Sequence, residues 1–168
     1  MAVKEILLLG NPLLNQKCES VNKNEGIFIK EIITDLHDTM MDFRLKYKCG
    51  RAIAAPQIGV MKRIIYMNIN KPVAIINPVL TDLSKDMITL WDDCMSFPDL
   101  LVKVKRHKVC KIEYYDIDWN YNEMNLKDEL AELLQHEVDH LDGMLFLDRL
   151  VSRRTDLFQR KVYQQKKD

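Results

Sequence analysis

The chain has 168 residues, 47% of them hydrophobic, and 25 Lys+Arg balance 25 Asp+Glu. That is the size and composition of one globular domain spanning residues 1–168. Zero net charge offers no footprint for DNA, and no apolar run approaches the roughly 20 residues that cross a bilayer, so neither a nucleic-acid nor a membrane partner is expected. Residues 6–9 are apolar but lack a following cleavage site, and Cys18, Cys49, Cys94 and Cys110 show no paired spacing. A reduced, cytoplasmic chain is therefore expected.

Residues 3–10 read as an apolar strand or extended segment closed by Gly10-Asn11-Pro12, with a polar loop over residues 15–24. Ile29, Ile32, Ile33, Leu36, Met40, Met41 and Phe43 then recur at helical spacing, which predicts a helix over residues 26–47 ended by Cys49-Gly50. His37 within it reads as a surface or satisfied histidine. Residues 50–59 are mostly small and close on Pro56, Gln57 and Gly59. Small side chains admit another backbone, as a packing feature or a substrate groove. Strand patterns follow at residues 63–67, 73–76, 86–90, 100–105 and 109–116, with turn residues such as Asn70-Lys71-Pro72 and Asn77-Pro78 between them. Residues 118–125 read as a hairpin loop. Leu126, Leu130, Leu133, Leu134 and Leu141 give a second helix, with Asn125 as N-cap and Gly143 as stop. An amphipathic tail helix is expected from about Thr155 to the end. Helix, antiparallel strands and helix indicate an α+β domain.

The second helix carries the chemistry. His136 and His140 are four apart and share a helix face, so both imidazoles can bind one ion. Glu137 follows directly and can move the proton of a water on that ion. This is the H-E-x-x-H pattern of hydrolytic metal sites. Such a site takes three protein ligands and leaves one position open. No histidine follows His140 and no glutamate follows Glu137. The candidates are Asp142, Asp148 and Asp156 downstream, or Cys94 upstream in a loop-like segment at residues 91–98. Cys18, Cys49 and Cys110 read as buried small hydrophobes. Local context leaves the third ligand open.

Three segments in order resemble the motifs of peptide deformylases. Residues 50–57 resemble Gly-φ-Gly-φ-Ala-Ala-x-Gln, residues 92–96 resemble Glu-Gly-Cys-φ-Ser, and residues 135–143 resemble the Gln-His-Glu helix motif. Residues 9–13 are similar to the family's opening, so the resemblance covers nearly the whole chain. It implies antiparallel strands around a central metal-binding helix, with helices at both ends. It implies Cys94, His136 and His140 as ligands of one divalent ion, with Fe²⁺ native and Zn²⁺, Ni²⁺ or Co²⁺ as other occupants. It implies Glu137 as general base then acid, and Gln57 with the Met95 N–H as oxyanion donors. Gly50, Arg51 and Ala52 would pair with the peptide as an extra strand, and Leu133 would line its pocket. The implied reaction removes the N-formyl group of formyl-methionyl nascent peptides and releases formate, with the ribosome as a further partner.

The chain departs from the pattern at several positions. Ala52 replaces a glycine and is expected to add a methyl group beside the groove. Asp92 and Asp93 replace Glu-Gly, and Asp93 is expected to hold an unusual backbone angle. The family's glutamate pairs with an arginine, which implies a pair between Asp92 (or Asp93) and Arg106. Glu129 and Glu132 precede His136 by seven and four residues, and both are expected to lean to solvent, because a buried lone carboxylate is costly. Two rivals remain: an amidase or peptidase with an Asp ligand, and a degenerate metal-binding protein with weak activity.

Overall fold

The computed structural model describes residues 2–159. Helix α1 spans Gly26–Tyr47, and its Ile29, Ile32, Leu36 and Met40 are buried along one stripe. It ends at Lys48, which turns left-handed (φ 61°) and donates its N–H to Arg44 O. Gly50 follows at φ +111°, where its carbonyl accepts from the Arg44 guanidinium at 2.7 and 2.9 Å. A side chain would be strained at that angle.

The strands are β1 (Ala52–Ala54), β2 (Ile64–Asn68), β3 (Pro72–Thr81), β4 (Met87–Asp93), β5 (Leu100–His107), β6 (Val109–Tyr115), β7 (Tyr121–Lys127) and β8 (Leu157–Gln159). Helix α2, Glu129–Leu141, lies between β7 and β8 in the chain. One antiparallel sheet has the order β1-β2-β3-β6-β7, and a smaller one has β4-β5-β8. Alternation of side chains splits the larger sheet's contacts. Ile53, Ile64, Tyr66 and Ile76 pack on α1, while Ala54, Ile65, Ile75 and Ile112 pack with Leu134, Val138 and Leu141 of α2. A third cluster joins Val102 and Val104 of β5 to Leu14, Cys94, Phe97 and Phe146. Helix α2 therefore lies between the two sheets, and all eleven residues 131–141 are buried. That position explains how a helix bearing five polar side chains in a row of six, 135–140 with Val138 excepted, can lie inside the protein.

Several expectations from the sequence are corrected. Asn77-Pro78 is not a turn: β3 runs through it with a register shift between Ile76 and Val79. Asn77 (φ 50°) binds Val21 N and O through its side chain, and Pro78, which has no N–H, is tolerated at the irregularity. Residues 121–125 are not hairpin loop but part of β7, an edge strand with only alternate residues turned inward. Leu126 is in β7, and the N-cap of α2 is Asp128, not Asn125. Trp91, Asp92 and Asp93 extend β4 up to Cys94. Residues 3–10 form no ladder, although Leu7 N bonds Gln57 O and Leu9 N bonds Ser96 O. No helix starts at Thr155. Leu157–Gln159 pairs instead with the open edge of β5, and the rest of the expected tail helix lies outside the described residues. Gly143 does end α2: at φ +71°, a Cβ there would come within 2.8 Å of Asn15 O.

Candidate metal centre

Helix α2 carries His136, Glu137 and His140, and the end of β4 delivers Cys94 to them. Cys94 Sγ lies 3.3 Å from His140 Nε2, and the two Nε2 atoms are 3.1 Å apart. The three candidate donor atoms all lie within 4.8 Å of one another. Bonds of about 2.0–2.3 Å in a tetrahedral site put neighbouring ligands roughly 3.3–3.8 Å apart, so this thiol and imidazole set fits one ion with little adjustment. The aspartate candidates are placed elsewhere. Asp142 pairs with Arg63 at 2.6 Å, Asp148 accepts from Leu145 N, and Asp156 accepts from Thr155.

Side chains behind the donors set their orientation. His136 Nδ1 meets Asp92 Oδ2 at 2.8 Å, which directs its Nε2 lone pair toward Cys94 and His140. Burial opposes a proton on His136, but the Asp92 carboxylate overcomes it and holds the imidazole well above its usual value. Burial and the neighbouring His136 keep His140 well below its usual value. Burial would raise Asp92, yet His136 and Arg106 pull it down to about 2. Arg106 is 2% exposed and pairs with Asp92 at 3.2 Å and with Asp139 at 2.7 Å. Asp139 in turn binds Arg149 at 2.7 Å. The expected Asp92–Arg106 pair is thus present, with Asp139 and Arg149 extending it. Those two were missed, although Asp139 stands at i+3 from His136, a spacing that neighbours a ligand on the helix surface. Asp93 is exposed and occupies a regular pair with Leu101, with no positive φ, so no unusual backbone angle arises there.

Gln57 is fixed by Ala54 N, which donates to its Oε1 at 2.9 Å. Its Nε2 is thereby turned toward Ser96 Oγ at 3.2 Å and Cys94 Sγ at 3.6 Å. Gln135 holds α2 to β5: it accepts from His107 N at 3.0 Å and donates to His107 O at 2.8 Å. Glu137 is 4% exposed, with no hydrogen-bond partner for Oε2 among the described residues, and burial pushes it up to about 7.

A cavity of about 320 Å³ opens beside these groups, lined by Gly50, Arg51, Ala52, Met95 and Leu133 among others. All the anticipated site residues thus converge, with His140 behind the cavity wall. Asn68 N bonds Arg51 O, so by antiparallel alternation Ala52 turns its N–H and C=O away from β2, along an open sheet edge. The Ala52 methyl is not left beside the groove but packs with Ala54, Met67 and Leu133. Cys49 is half-buried at the cavity rather than a core residue, whereas Cys18 and Cys110 are buried. His37 is a satisfied histidine, 2.6 Å from the Tyr66 hydroxyl. Glu129 leans to solvent with its side chain 84% exposed, but Glu132 does not: it is buried beside Arg106 and Arg51. The two cations offset what burying that carboxyl group would otherwise cost.

The sequence profile of the polypeptide deformylase family matches residues 3–156. A peptide deformylase of Dictyoglomus thermophilum is 37% identical over 150 residues, covering 89% of this chain and 94% of that protein. One from Thermotoga sp. (strain RQ2) is 32% identical over 158 residues, covering 94% and 93%. The crystal structure of the Thermotoga maritima peptide deformylase superposes with a TM-score of 0.83 at 31% identity, covering 90% of this chain and all of that one. A Met-Ala-Ser-bound class I type b peptide deformylase from Acinetobacter baumannii superposes with a TM-score of 0.81 at 28% identity, covering 89% and 99%.

Proposed function

The chain belongs to the peptide deformylase family, a family of metal-dependent hydrolases, and from that premise we propose how its own residues remove the formyl group from nascent peptides. The observation that carries the reading is the convergence of Cys94, His136 and His140 beside a buried Glu137. These three side chains would hold the ion. A divalent cation bound there lowers the pKa of a water and polarises the formyl oxygen. Our reading takes the ion to be Fe²⁺, with Zn²⁺, Ni²⁺ and Co²⁺ accepted by the same donors.

Glu137 takes the proton from the attacking water and returns it to the departing amine nitrogen. Its displacement toward neutrality by burial suits both halves of that task. Gln57 Nε2 and the Met95 N–H donate to the oxyanion as it forms, and the Ala54 contact means Gln57 need not reorganise. The peptide lies along the open edge at Gly50, Arg51 and Ala52 as an added strand, with Leu133 against its first side chain. Product binding of the kind named for the Acinetobacter enzyme, Met-Ala-Ser, fits this groove. In this reading the protein works in the cytoplasm on chains leaving the ribosome. No helix among the described residues is long and apolar enough to cross a membrane.

The test is anaerobic purification with metal analysis, followed by formate release from a formylated peptide. One ion per chain and turnover are expected. A fully loaded protein that releases no formate would sink the reading in favour of a metal-binding protein without this activity.

A further inference from the structure

The wall of the cavity beside Cys94 and Glu137 is not that of an apolar slot. Arg51, Asp92 and Glu132 line it together with Leu133 and Trp91. Glu132 lies one turn of α2 before His136, about 5.4 Å along the axis, so its side chain sits on the same stripe as the ligand histidines. It is 3% exposed. Its carboxyl group stands 3.6 Å from Arg51 Nη2 and 3.9 Å from Arg106 Nε. Both separations exceed the roughly 2.7–2.9 Å of a charge-assisted hydrogen bond. Arg106 Nε has no hydrogen-bond partner among the described residues. A buried carboxyl group therefore borders the cavity with acceptor capacity that its neighbours do not fill.

The Arg51–Glu132 contact spans from the peptide edge at β1 to α2. It crosses the space next to the reacting amide, where the first side chain of a peptide must go. An apolar side chain pressed there strips water from Glu132 and returns no hydrogen bond, which is unfavourable. A side chain ending in an N–H supplies that bond. It can displace Arg51, whose side chain is 46% exposed and has solvent to swing into. Burial and the nearby Asp92 push Glu132 up to about 8. Protonated or ionised, it keeps an acceptor oxygen.

We propose that Glu132 reads the first side chain of the substrate, and that the cavity takes one ending in a hydrogen-bond donor, an amide or an amine, better than the thioether of methionine. This rests on the deformylase reading of the site. Leu133 is the apolar wall for the stem of either side chain.

The test uses the metal-loaded protein and the series formyl-X-Ala-Ser, with X as Met, norleucine, Gln or Lys. The kcat/KM for Gln or Lys should exceed that for Met by about tenfold or more, since a site that hydrogen-bonds a substrate group discriminates against analogues lacking it. Glu132→Leu should reverse the order by a similar factor, and Glu132→Gln should keep it. A preference for methionine in the parent overturns the proposal. So does a Glu132→Leu protein that slows all four substrates equally, because that marks a structural role. If no peptide releases formate, the deformylase reading fails, and the pocket is judged by the affinities of the unformylated tripeptides. A Gln or Lys preference lost in Glu132→Leu supports the proposal, and equal affinities overturn it.

Discussion

The two halves of α2 are built to different tolerances. In the half from Gln135 to His140, the polar side chains that hold the donors in place meet their partners at 2.7–3.0 Å: His136 with Asp92, Asp139 with Arg106 and Arg149, Gln135 with the β5 backbone. In the half from Glu129 to Leu133, Arg51 and Arg106 approach Glu132 at 3.6 and 3.9 Å, and Arg51 approaches Glu129 at 3.7 Å. A metal centre needs fixed ligands, because small displacements change coordination, and charge-assisted hydrogen bonds behind each ligand supply that rigidity. A wall that receives a varying side chain must exchange its partners, and loose ion pairs do so at little cost. One helix thus joins a rigid end to an adaptable one.

The comparison can be broken most directly at its rigid end. Cys94→Ala should strip the ion and abolish turnover, whereas Cys18→Ala and Cys110→Ala should keep it. Equal metal content in the three proteins would remove Cys94 from the site. Glu137→Ala should retain the ion and lose roughly 10²–10⁴-fold in turnover; a loss within a few-fold would mean that another group moves the proton. Arg106→Ala leaves Asp92 and Asp139 buried without their cation, which should destabilise the fold by about 3–5 kcal/mol in chemical denaturation and hasten metal release. An Arg106→Ala protein as stable as its parent, with an unchanged rate of metal loss to a chelator, would show that the network is not what holds the donors. At the adaptable end, Glu129→Gln alters a group 84% exposed and should change stability by no more than about 0.5 kcal/mol. A larger effect would place Glu129 inside the working pocket and blur the boundary between the two halves.

Helix α1, the strand-rich middle, and the pairing of His136 with His140 around Glu137 were all legible in the sequence. Each depends on spacing along one element: period 3.6 for the apolar stripe, period 2 for the strands, four residues for the imidazoles. The motif resemblance extended that reach to Cys94, Gln57 and Arg106. The boundaries of β7 and α2 were not legible, because β7 is an edge strand whose outward residues are as polar as a loop's, and Asp128 caps α2 without a side-chain signature. The chain near Thr155 has helical periodicity, but an unpaired edge of β5 drew Leu157–Gln159 into a strand. Glu132 was decided only by tertiary structure. On an isolated helix it stands at the margin of the stripe, where water is the favourable environment. It is buried because β5 brings Arg106 behind α2 and β1 brings Arg51 across it, two cations from distant parts of the chain that no local pattern relates to that glutamate.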